Sequence, residues 1–248
     1  MITVTDLRKS FQDKKHGVIH AVDGVSFECR SGEIFALLGL NGAGKTTTLR
    51  LLATMLRPDG GQILIGGVDA RARPQAVRAQ IGFLTGTTGL YWRLTPREIL
   101  TYFGRLSGLD RNTIRQRSDQ LIARLGMEEF ADRRVDKLSS GQKQKASIAR
   151  TLIHDPPILI LDEPTVGLDV LTSRAIVDFI AEARSGGKCV LLSTHIMHEA
   201  AKLSDRIGII HGGRMRAIGT LAEFRARWGE RDLDDIFVSA IGAGDGRP

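Results

Sequence analysis

Short runs of hydrophobic residues alternate along the chain with longer segments in which hydrophobic residues recur at helical spacing. The runs that predict strands are 2–4, 22–29, 33–38, 81–84, 158–161 and 189–193. The segments that predict helices are 44–56, 97–106, 113–125, 170–184 and a stretch that starts near residue 140. The run 207–210, which Gly212 and Gly213 follow, predicts a hairpin. Because strands and helices alternate, the pattern predicts an α/β fold with a largely parallel, covered sheet.

A helical insertion interrupts this alternation. Thr95, Pro96 and Glu98 have the residue types expected at the N-cap, N1 and N3 positions of a helix, so the insertion begins near them. We predict one domain over residues 1–237. Its parts are a core of residues 1–85 and 156–228, a helical subdomain at about 86–155 and a C-terminal extension at 229–241, followed by a glycine-rich tail at 242–248 that is expected to be disordered.

Composition narrows the class of protein. The 248 residues are 42% hydrophobic, enough for a substantial core. No apolar run approaches the roughly 18–20 residues of a membrane span, and the first residues lack a secretory signal, so we expect a soluble protein in the cytosol. Cys29 and Cys189 lie in apolar runs without metal-ligand spacing. We therefore predict that both are reduced core thiols.

The net charge of +7 is concentrated in one segment. Residues 71–150 contain 16 Lys or Arg against 7 Asp or Glu, so they account for more than the whole excess. Such a segment could meet nucleic acid, acidic lipid headgroups or an acidic protein surface, or it could be a solvated helical face.

A glycine-rich loop follows the predicted strand 33–38 and precedes a predicted helix. Glycines let successive backbone N–H groups point at phosphate oxygens, Lys45 adds a positive charge, and the Thr46 hydroxyl suits Mg²⁺. We call residues 39–47 the phosphate loop. Its predicted ATP-binding residues are Gly39, Asn41, Gly42, Ala43, Gly44, Lys45, Thr46 and Thr47.

Two further motifs lie downstream. Asp162 and Glu163 end a hydrophobic strand, where α/β sheets bind ligands. Residues 138–142, with the sequence Leu-Ser-Ser-Gly-Gln, open a predicted helix, so that a hydroxyl and backbone N–H groups face outward with the positive end of the helix dipole behind them. We call residues 138–142 the signature motif. Its geometry suits a phosphate.

In this order, the motifs resemble those of the ATP-binding cassette family over roughly residues 2–237. The resemblance implies a P-loop NTPase (RecA-like) core with a mostly parallel sheet, an N-terminal antiparallel β part and an inserted α-helical subdomain. It implies ATP and Mg²⁺ as ligands, with Asp162 joining Thr46 at the metal. It also implies that Glu163 is the general base, that His195 contacts the γ-phosphate and orients the attacking water, and that Lys45 is catalytic.

The resemblance further implies a dimer. In the family the signature motif of one subunit, here Ser139, Gly141 and Gln142, meets the γ-phosphate held by the other subunit. Asp169 corresponds to an aspartate that bridges the subunits, although a helix N-cap is a competing or additional role. Phe11 stands where relatives place an aromatic that stacks on adenine, and core packing is the alternative.

One family feature is missing. After residues 81–84 most cassettes carry a glutamine that reaches Mg²⁺, whereas here the run 85–92 has none, and Gln80 precedes the strand on the wrong side. A threonine hydroxyl or a water could take that place. Within this run Tyr91 and Trp92 could anchor a partner or be buried under the insertion.

Several matches resemble ATP-binding subunits of bacterial sodium-export and related ABC-2 type drug or polysaccharide exporters. They are residues 87–91, 143–145, 154–157 and 233–237. This implies an exporter ATPase at the cytoplasmic face of the cell membrane, partnered by a separate transmembrane permease subunit and a second cassette, identical or not, with no nucleic acid expected. The alternatives are a nucleic-acid- or ribosome-associated cassette ATPase and a regulatory cassette that barely hydrolyses ATP. The basic segment keeps the first alternative open, but the gap between the phosphate loop and the signature motif is short and lacks the heptads of a long coiled coil.

Overall fold

The computed structural model describes residues 1–15, 17–85, 89–229 and 232–242. The strands are β1 (Ile2–Asp13), β2 (Gly17–Cys29), β3 (Ile34–Leu38), β4 (Gly60–Ile65), β5 (Val68–Asp69), β6 (Ile81–Leu84), β7 (Ile158–Asp162), β8 (Cys189–Thr194), β9 (Arg206–His211) and β10 (Arg214–Gly219). The α-helices are α1 (Lys45–Leu52), α2 (Pro74–Gln80), α3 (Pro96–Leu106), α4 (Arg111–Arg124), α5 (Ser140–Leu152), α6 (Val170–Ser185), α7 (Met197–Leu203), α8 (Leu221–Trp228) and α9 (Leu233–Gly242), and a 3₁₀ turn covers Val135–Lys137. Among the described helices, none combines the length and hydrophobicity that a membrane crossing requires.

The central sheet has six strands in the order β10-β9-β3-β8-β7-β6. All neighbours from β9 to β6 are parallel, and β10 joins the edge as the second strand of a hairpin. Every residue of β3, β7 and β8 is buried, as expected for parallel strands covered on both faces. The predicted hairpin is confirmed, since Gly212 and Gly213 both adopt positive φ between the paired residues His211 and Arg214.

A second, antiparallel sheet has the order β2-β1-β4-β5. Its strands β1 and β2 are longer than the predicted runs 2–4 and 22–29. The outer halves of both strands were not predicted because they are largely exposed and carry no continuous apolar pattern. Together the two sheets confirm the predicted fold class, an α/β nucleotide-binding core with an antiparallel β part.

The core lies on both faces of β3. Successive side chains of a strand point to opposite faces, so Ile34, Ala36 and Leu38 join the helices of one cluster while Phe35 and Leu37 join the cluster under the antiparallel sheet. Each fully buried aliphatic side chain of this kind contributes about 1.5–3 kcal/mol to stability. This burial on both faces holds β3 in place and thereby positions the phosphate loop that follows it.

Helix boundaries follow their capping residues. The predicted start of α3 is confirmed, because the side chains of Thr95 and Glu98 form a capping box around Pro96. The predicted helix 44–56 ends earlier, at Leu52. Thr54 adopts a positive φ of 58°, and the N–H of Met55 bonds back to Arg50 O at 2.9 Å, so the last turn closes on itself and the chain leaves the axis.

At the C-terminus, Gly242 is the last residue of α9, so the prediction that the tail begins there is wrong by one residue. The hydrophobic face of α9 packs into the core through Ile236 and Phe237, which extends the helix to this point. The remaining tail residues, 243–248, lie outside the described residues.

Candidate active site

The predicted phosphate-binding, metal-binding and catalytic residues lie at the ends of three neighbouring strands. The phosphate loop follows β3, Asp162 and Glu163 lie at the end of β7, and His195 comes directly after β8. Because β3, β8 and β7 are adjacent and parallel, their carboxyl ends meet at one edge of the sheet. Residues more than a hundred positions apart in sequence thereby share one cavity.

Glycine is required at two positions of the phosphate loop. Gly44 has φ 103°, and a Cβ there would lie 2.3 Å from the carbonyl oxygen of Ala21. A Cβ at Gly39 would lie 2.5 Å from the carbonyl oxygen of Ile210. The loop therefore fits between β2 and the β9–β10 hairpin only with hydrogen at these positions, which leaves room for a phosphate close to its backbone.

Lys45 is the first residue of α1 and is only 5% exposed. Its Nζ donates to Gly39 O at 2.7 Å and to Leu40 O at 3.2 Å, and it lies 3.4 Å from Glu163 Oε1. The ammonium group is thus held between the phosphate loop and the acidic strand end, where it can meet an anion.

Asp162 is held by two hydroxyl groups. Its Oδ1 accepts a hydrogen bond from Ser193 Oγ at 2.5 Å and one from Thr46 Oγ1 at 3.2 Å. Ser193 lies on β8 and is fully buried. A carboxylate and a hydroxyl within one hydrogen-bond length form an all-oxygen pair of the kind that Mg²⁺ takes together with substrate phosphates.

Glu163 has a strained backbone and a fixed side chain. Its φ of 48° is unusual for a residue other than glycine, and its N–H donates to Ser193 O at 3.1 Å. Its Oε1 lies 3.0 Å from Nδ1 of His195. The local conformation thus turns the glutamate away from the strand direction and towards the histidine, beside Lys45.

The signature motif begins α5, with Ser139 as N-cap in a capping box. Ser139 Oγ accepts from the N–H of Gln142 at 3.2 Å, and Gln142 Oε1 accepts from the N–H of Ser139 at 3.0 Å. The hydroxyl of Ser139 retains its proton for an outside acceptor. Ser139 and Ser140 are both exposed, so this helix start lies at the surface.

Asp169 is the N-cap of α6, as one of its two predicted roles requires. It accepts from the N–H of Thr172 at 2.9 Å and from the Thr172 hydroxyl at 2.7 Å, and these hydrogen bonds lower the pKa of Asp169. A Cβ added to Gly141 would lie 3.5 Å from Asp169 Oδ2. The starts of α5 and α6 therefore lie against each other.

A cavity of about 700 Å³ joins the phosphate loop, the acidic pair Asp162 and Glu163, and Ser140 of the signature motif, whereas His195, Ser139 and Asp169 are not part of its wall. Its wall includes two parts that the sequence did not reveal, the β2 segment Ile19 to Ala21 and the hairpin turn Gly212–Gly213. The turn is bound to the phosphate loop, because Gly213 N donates to Ala43 O at 3.0 Å. In the sequence, Gly212 and Gly213 indicate a turn but do not indicate that this turn lies against the phosphate loop.

Phe11 lies on β1 opposite Ile19, which lines this cavity. The side chain of Phe11 is 41% exposed, and Lys9 Nζ lies 5.6 Å from its ring centroid. The alternative prediction, packing in the core, is therefore wrong. An exposed ring on the strand next to the cavity wall is available to stack on a base.

The segment without the family's glutamine is described only in part. Thr85 is buried, lines the cavity and follows β6, the strand next to β7, whereas Gly86 to Thr88 lie outside the described residues. Gln80 ends α2 and donates to Ala76 O, as expected from its position before the strand.

Beyond this segment the aromatic residues lie on the surface. Tyr91 is 50% exposed and Trp92 is 65% exposed, so the prediction that they are buried under the insertion is wrong. Tyr91 packs edge-on against Tyr102 of α3, with ring centroids 5.4 Å apart. An exposed aromatic surface therefore remains, as the partner-anchor interpretation requires.

Comparison with known families decides which protein class this geometry belongs to. The model of the ABC transporter family matches residues 22–166, which include the phosphate loop, the signature motif and the acidic pair. The chain belongs to the ABC transporter family. It is one of the family's cassettes, with ATP as its ligand and ATP hydrolysis as its activity.

The chain is similar to curated relatives along almost its whole length. It is 45% identical to the ABC transporter ATP-binding protein NatA of Bacillus subtilis (strain 168), covering 97% of this chain and 98% of NatA. It is 38% identical to the daunorubicin resistance ATP-binding protein DrrA3 of Streptomyces coeruleorubidus, covering 96% of this chain and 74% of DrrA3.

Solved structures agree with the fold. The ATP-binding subunit of an ABC transporter superposes with a TM-score of 0.88 at 32% identity, covering 97% of this chain and 99% of that one. A dimeric ATP-binding cassette in a post-hydrolysis state with ADP and phosphate superposes with a TM-score of 0.81 at 25% identity, covering 89% of this chain and 99% of that one. The cassette thus shares the fold of solved ATP-binding subunits, one of which was solved as a dimer.

Proposed function

We propose that the cassette powers the export of a small solute, with sodium ions as the first candidate, through a separate transmembrane permease subunit at the cytoplasmic face of the cell membrane. The observation that carries the proposal is the position of Glu163, whose carboxylate lies between His195 and Lys45 at the edge of the sheet that carries the phosphate loop. A regulatory cassette that barely hydrolyses ATP has no need of this arrangement.

The residues around the phosphate loop fit ATP with Mg²⁺. Backbone N–H groups of the loop and the ammonium group of Lys45 bind the β- and γ-phosphates. Thr46 Oγ1 and Asp162 Oδ1, 3.2 Å apart, would hold Mg²⁺ directly or through water. When bound, Mg²⁺ supplies positive charge that neutralises the phosphate oxygens.

Hydrolysis depends on the Glu163–His195 pair. Glu163 accepts a proton from the water that attacks the γ-phosphate, and His195 holds the carboxylate and orients that water. The side chain of Glu163 is 28% exposed and lines the cavity, so water in the cavity reaches it, and the side chain of His195 is 35% exposed.

A second cassette completes each site. The signature motif is exposed, and next to Asp169 the side chains of Val170 and Leu171 are 83% and 82% exposed. Such apolar exposure beside a phosphate-binding helix start suits a surface that is covered in a dimer. In this arrangement the signature motif of one copy contacts the γ-phosphate held by the other copy, Asp169 bridges the copies, and ATP binding favours the closed dimer.

The permease is proposed to dock on the helical subdomain. Helices α3, α4 and α5 pack against one another within the proposed unit 86–155. Tyr91, Trp92 and Tyr102 form an exposed aromatic surface there, of the composition that anchors protein partners. Sodium comes first among the solutes because the sequence resembles sodium-export ATPase subunits at residues 87–91, 143–145, 154–157 and 233–237.

The test uses tagged Glu163→Gln cassette, purified with ATP from gently solubilised membranes of the native host, with a tagged cassette that carries Tyr91→Ala and Trp92→Ala, and so lacks the proposed docking surface, as the matched control. We expect mass spectrometry to find a protein with several membrane spans only with Glu163→Gln. Inside-out vesicles containing that protein and the wild-type cassette should then take up ²²Na⁺ on addition of ATP. Recovery of ribosomes or nucleic acid without a membrane protein would contradict the exporter. Recovery of a permease without uptake of ²²Na⁺ would contradict only the choice of sodium as the exported solute.

A further inference from the structure

The two cysteines of the chain meet inside the protein. Cys29 and Cys189 are 160 residues apart in sequence, yet their sulfur atoms lie 3.2 Å apart and both side chains are fully buried. A disulfide has a sulfur–sulfur distance of about 2.05 Å, so an approach of about 1.1 Å separates this thiol pair from a bond. Neither thiol belongs to the active site.

The backbones around the pair are already held together. Cys29 is the last residue of β2 and Cys189 the first residue of β8. In the turn after β2, Gly32 N donates to Gly187 O and to Lys188 O, both at 3.1 Å. These bonds hold the two chain segments side by side and keep the two sulfurs next to each other.

Each thiol also has a backbone partner from the other segment. Cys189 Sγ donates to Cys29 O at 3.4 Å, and Cys29 Sγ donates to Val190 O at 3.5 Å. The hydrogen bond between the sulfurs lowers the pKa of Cys189 and raises the pKa of Cys29, since a second thiolate next to the first is unfavourable.

We propose that Cys29 and Cys189 form a reversible disulfide site that hydroperoxides close and thiol reductants open. One of the two thiols loses its proton, its sulfur attacks a peroxide oxygen and the O–O bond breaks. The hydroxide that leaves takes up the proton as water, and a sulfenic acid remains. The other sulfur then attacks the sulfur of the sulfenic acid, the S–O bond breaks, and the hydroxide leaves with the proton of the second thiol as a second water. In total two thiols and one hydrogen peroxide give one disulfide and two waters. Because both sulfurs are buried, a small oxidant reaches them more readily than glutathione disulfide does.

The disulfide would tie the antiparallel sheet to the central sheet. It closes a loop of 160 residues, which restricts the unfolded chain strongly and should raise Tm by roughly 5–10 °C. The pair lies at the start of β8, whereas Ser193 and His195 lie at or beyond its other end. The affinity for ATP should therefore change less than about twofold on oxidation, because a distant contact has little influence on the site.

The experiment treats the folded, full-length cassette with hydrogen peroxide and then denatures it in a thiol-alkylating reagent. We expect both thiols to be lost, with an intact mass about 2 Da lower, at a rate independent of protein concentration, and to be restored by dithiothreitol. Since the chain has only two cysteines, this mass change identifies the bond. The oxidised form should melt at the higher Tm.

Cys29→Ala and Cys189→Ala are the matched controls, and each should show no loss of two mass units and no rise in Tm. Three outcomes would overturn the proposal. The first is that both thiols of the wild type stay free. The second is that they gain oxygen, as sulfinic or sulfonic acids, without bond formation. The third is a disulfide that links two copies of the chain.

Discussion

The Nδ1 atom of His195 lies 3.0 Å from Oε1 of Glu163, and the same carboxylate oxygen lies 3.4 Å from Nζ of Lys45. The three groups come from the ends of different elements, β8, β7 and the phosphate loop. One carboxylate is therefore positioned by two groups of the site, and removing its charge should affect the chemical step more than the binding of ATP.

The first prediction concerns Glu163→Gln. Loss of the general base should lower ATP hydrolysis by about 10²–10⁴-fold, while ATP affinity changes by less than about threefold. Phosphate release and titration with a fluorescent ATP analogue measure the two quantities. Glu182→Gln, which removes an exposed carboxylate paired with Arg124, is the control and should hydrolyse ATP normally. If Glu163→Gln retained more than a tenth of wild-type hydrolysis, Glu163 would not be the base.

Lys45→Ala should act on binding. The buried ammonium group makes charge-assisted contacts, and the loss of such a contact to phosphate costs about 1.5–3 kcal/mol, or roughly a ten- to hundredfold weaker affinity for ATP. Equilibrium titration with a fluorescent ATP analogue gives the value. The exposed Lys202, replaced by Ala, is the control. An unchanged affinity in Lys45→Ala would show that the phosphate loop does not bind phosphate as proposed.

Gly44→Ala tests the fit of the phosphate loop. The new methyl group would lie 2.3 Å from Ala21 O in a backbone with φ 103°. The backbone conformation alone costs about 1–2 kcal/mol, which should lower Tm by roughly 2–8 °C and weaken ATP binding. Thermal unfolding with and without ATP measures both effects. Gly186→Ala, at a glycine with φ −76° and no close contact, should be nearly neutral. Equal effects of both changes would contradict the account of the loop.

His154 makes stability depend on pH. Burial lowers the pKa of His154 below its usual value of 6.5, and its Nε2 lies 3.1 Å from Ile81 O. Below pH 6.5 His154 binds a proton in the unfolded chain but stays neutral in the folded protein. The free energy of unfolding therefore decreases as pH decreases from 6.5 towards the lowered pKa. Urea unfolding at pH 7.5 and 5.5 measures the change. His154→Gln should reduce the difference, whereas the exposed His198→Gln should not. If the difference in unfolding free energy between pH 7.5 and 5.5 were unchanged in His154→Gln, groups other than His154 would cause it.

The positions of the main motifs could be predicted from the sequence because they depend on local order. An apolar strand, a glycine loop and a helix start determine where Lys45 and Thr46 lie, and the apolar run 158–161 determines where Asp162 ends its strand. Capping residues likewise predict where α3 and α6 begin, since Thr95 and Asp169 occupy the predicted N-cap positions.

Contacts between distant strands could not be predicted in this way. The hydrogen bond from Ser193 to Asp162 depends on the register of β7 against β8. Nothing in the local sequence around Ser193 indicates this partner. The meeting of Cys29 with Cys189 depends likewise on how the antiparallel sheet lies over the central one. Both cysteines are free and buried as predicted, but only the fold brings them together.

We propose that each ATP site is shared between two copies of the cassette. Lys45→Ala disables the phosphate loop, and Gly141→Asp would place a negative charge in the signature motif. Each variant should be inactive alone. In an equal mixture, half of the dimers would combine the two chains, and each of these would have one intact site, so about a quarter of wild-type phosphate release should return, if the sites act independently. A mixture as inactive as its components would contradict the shared site.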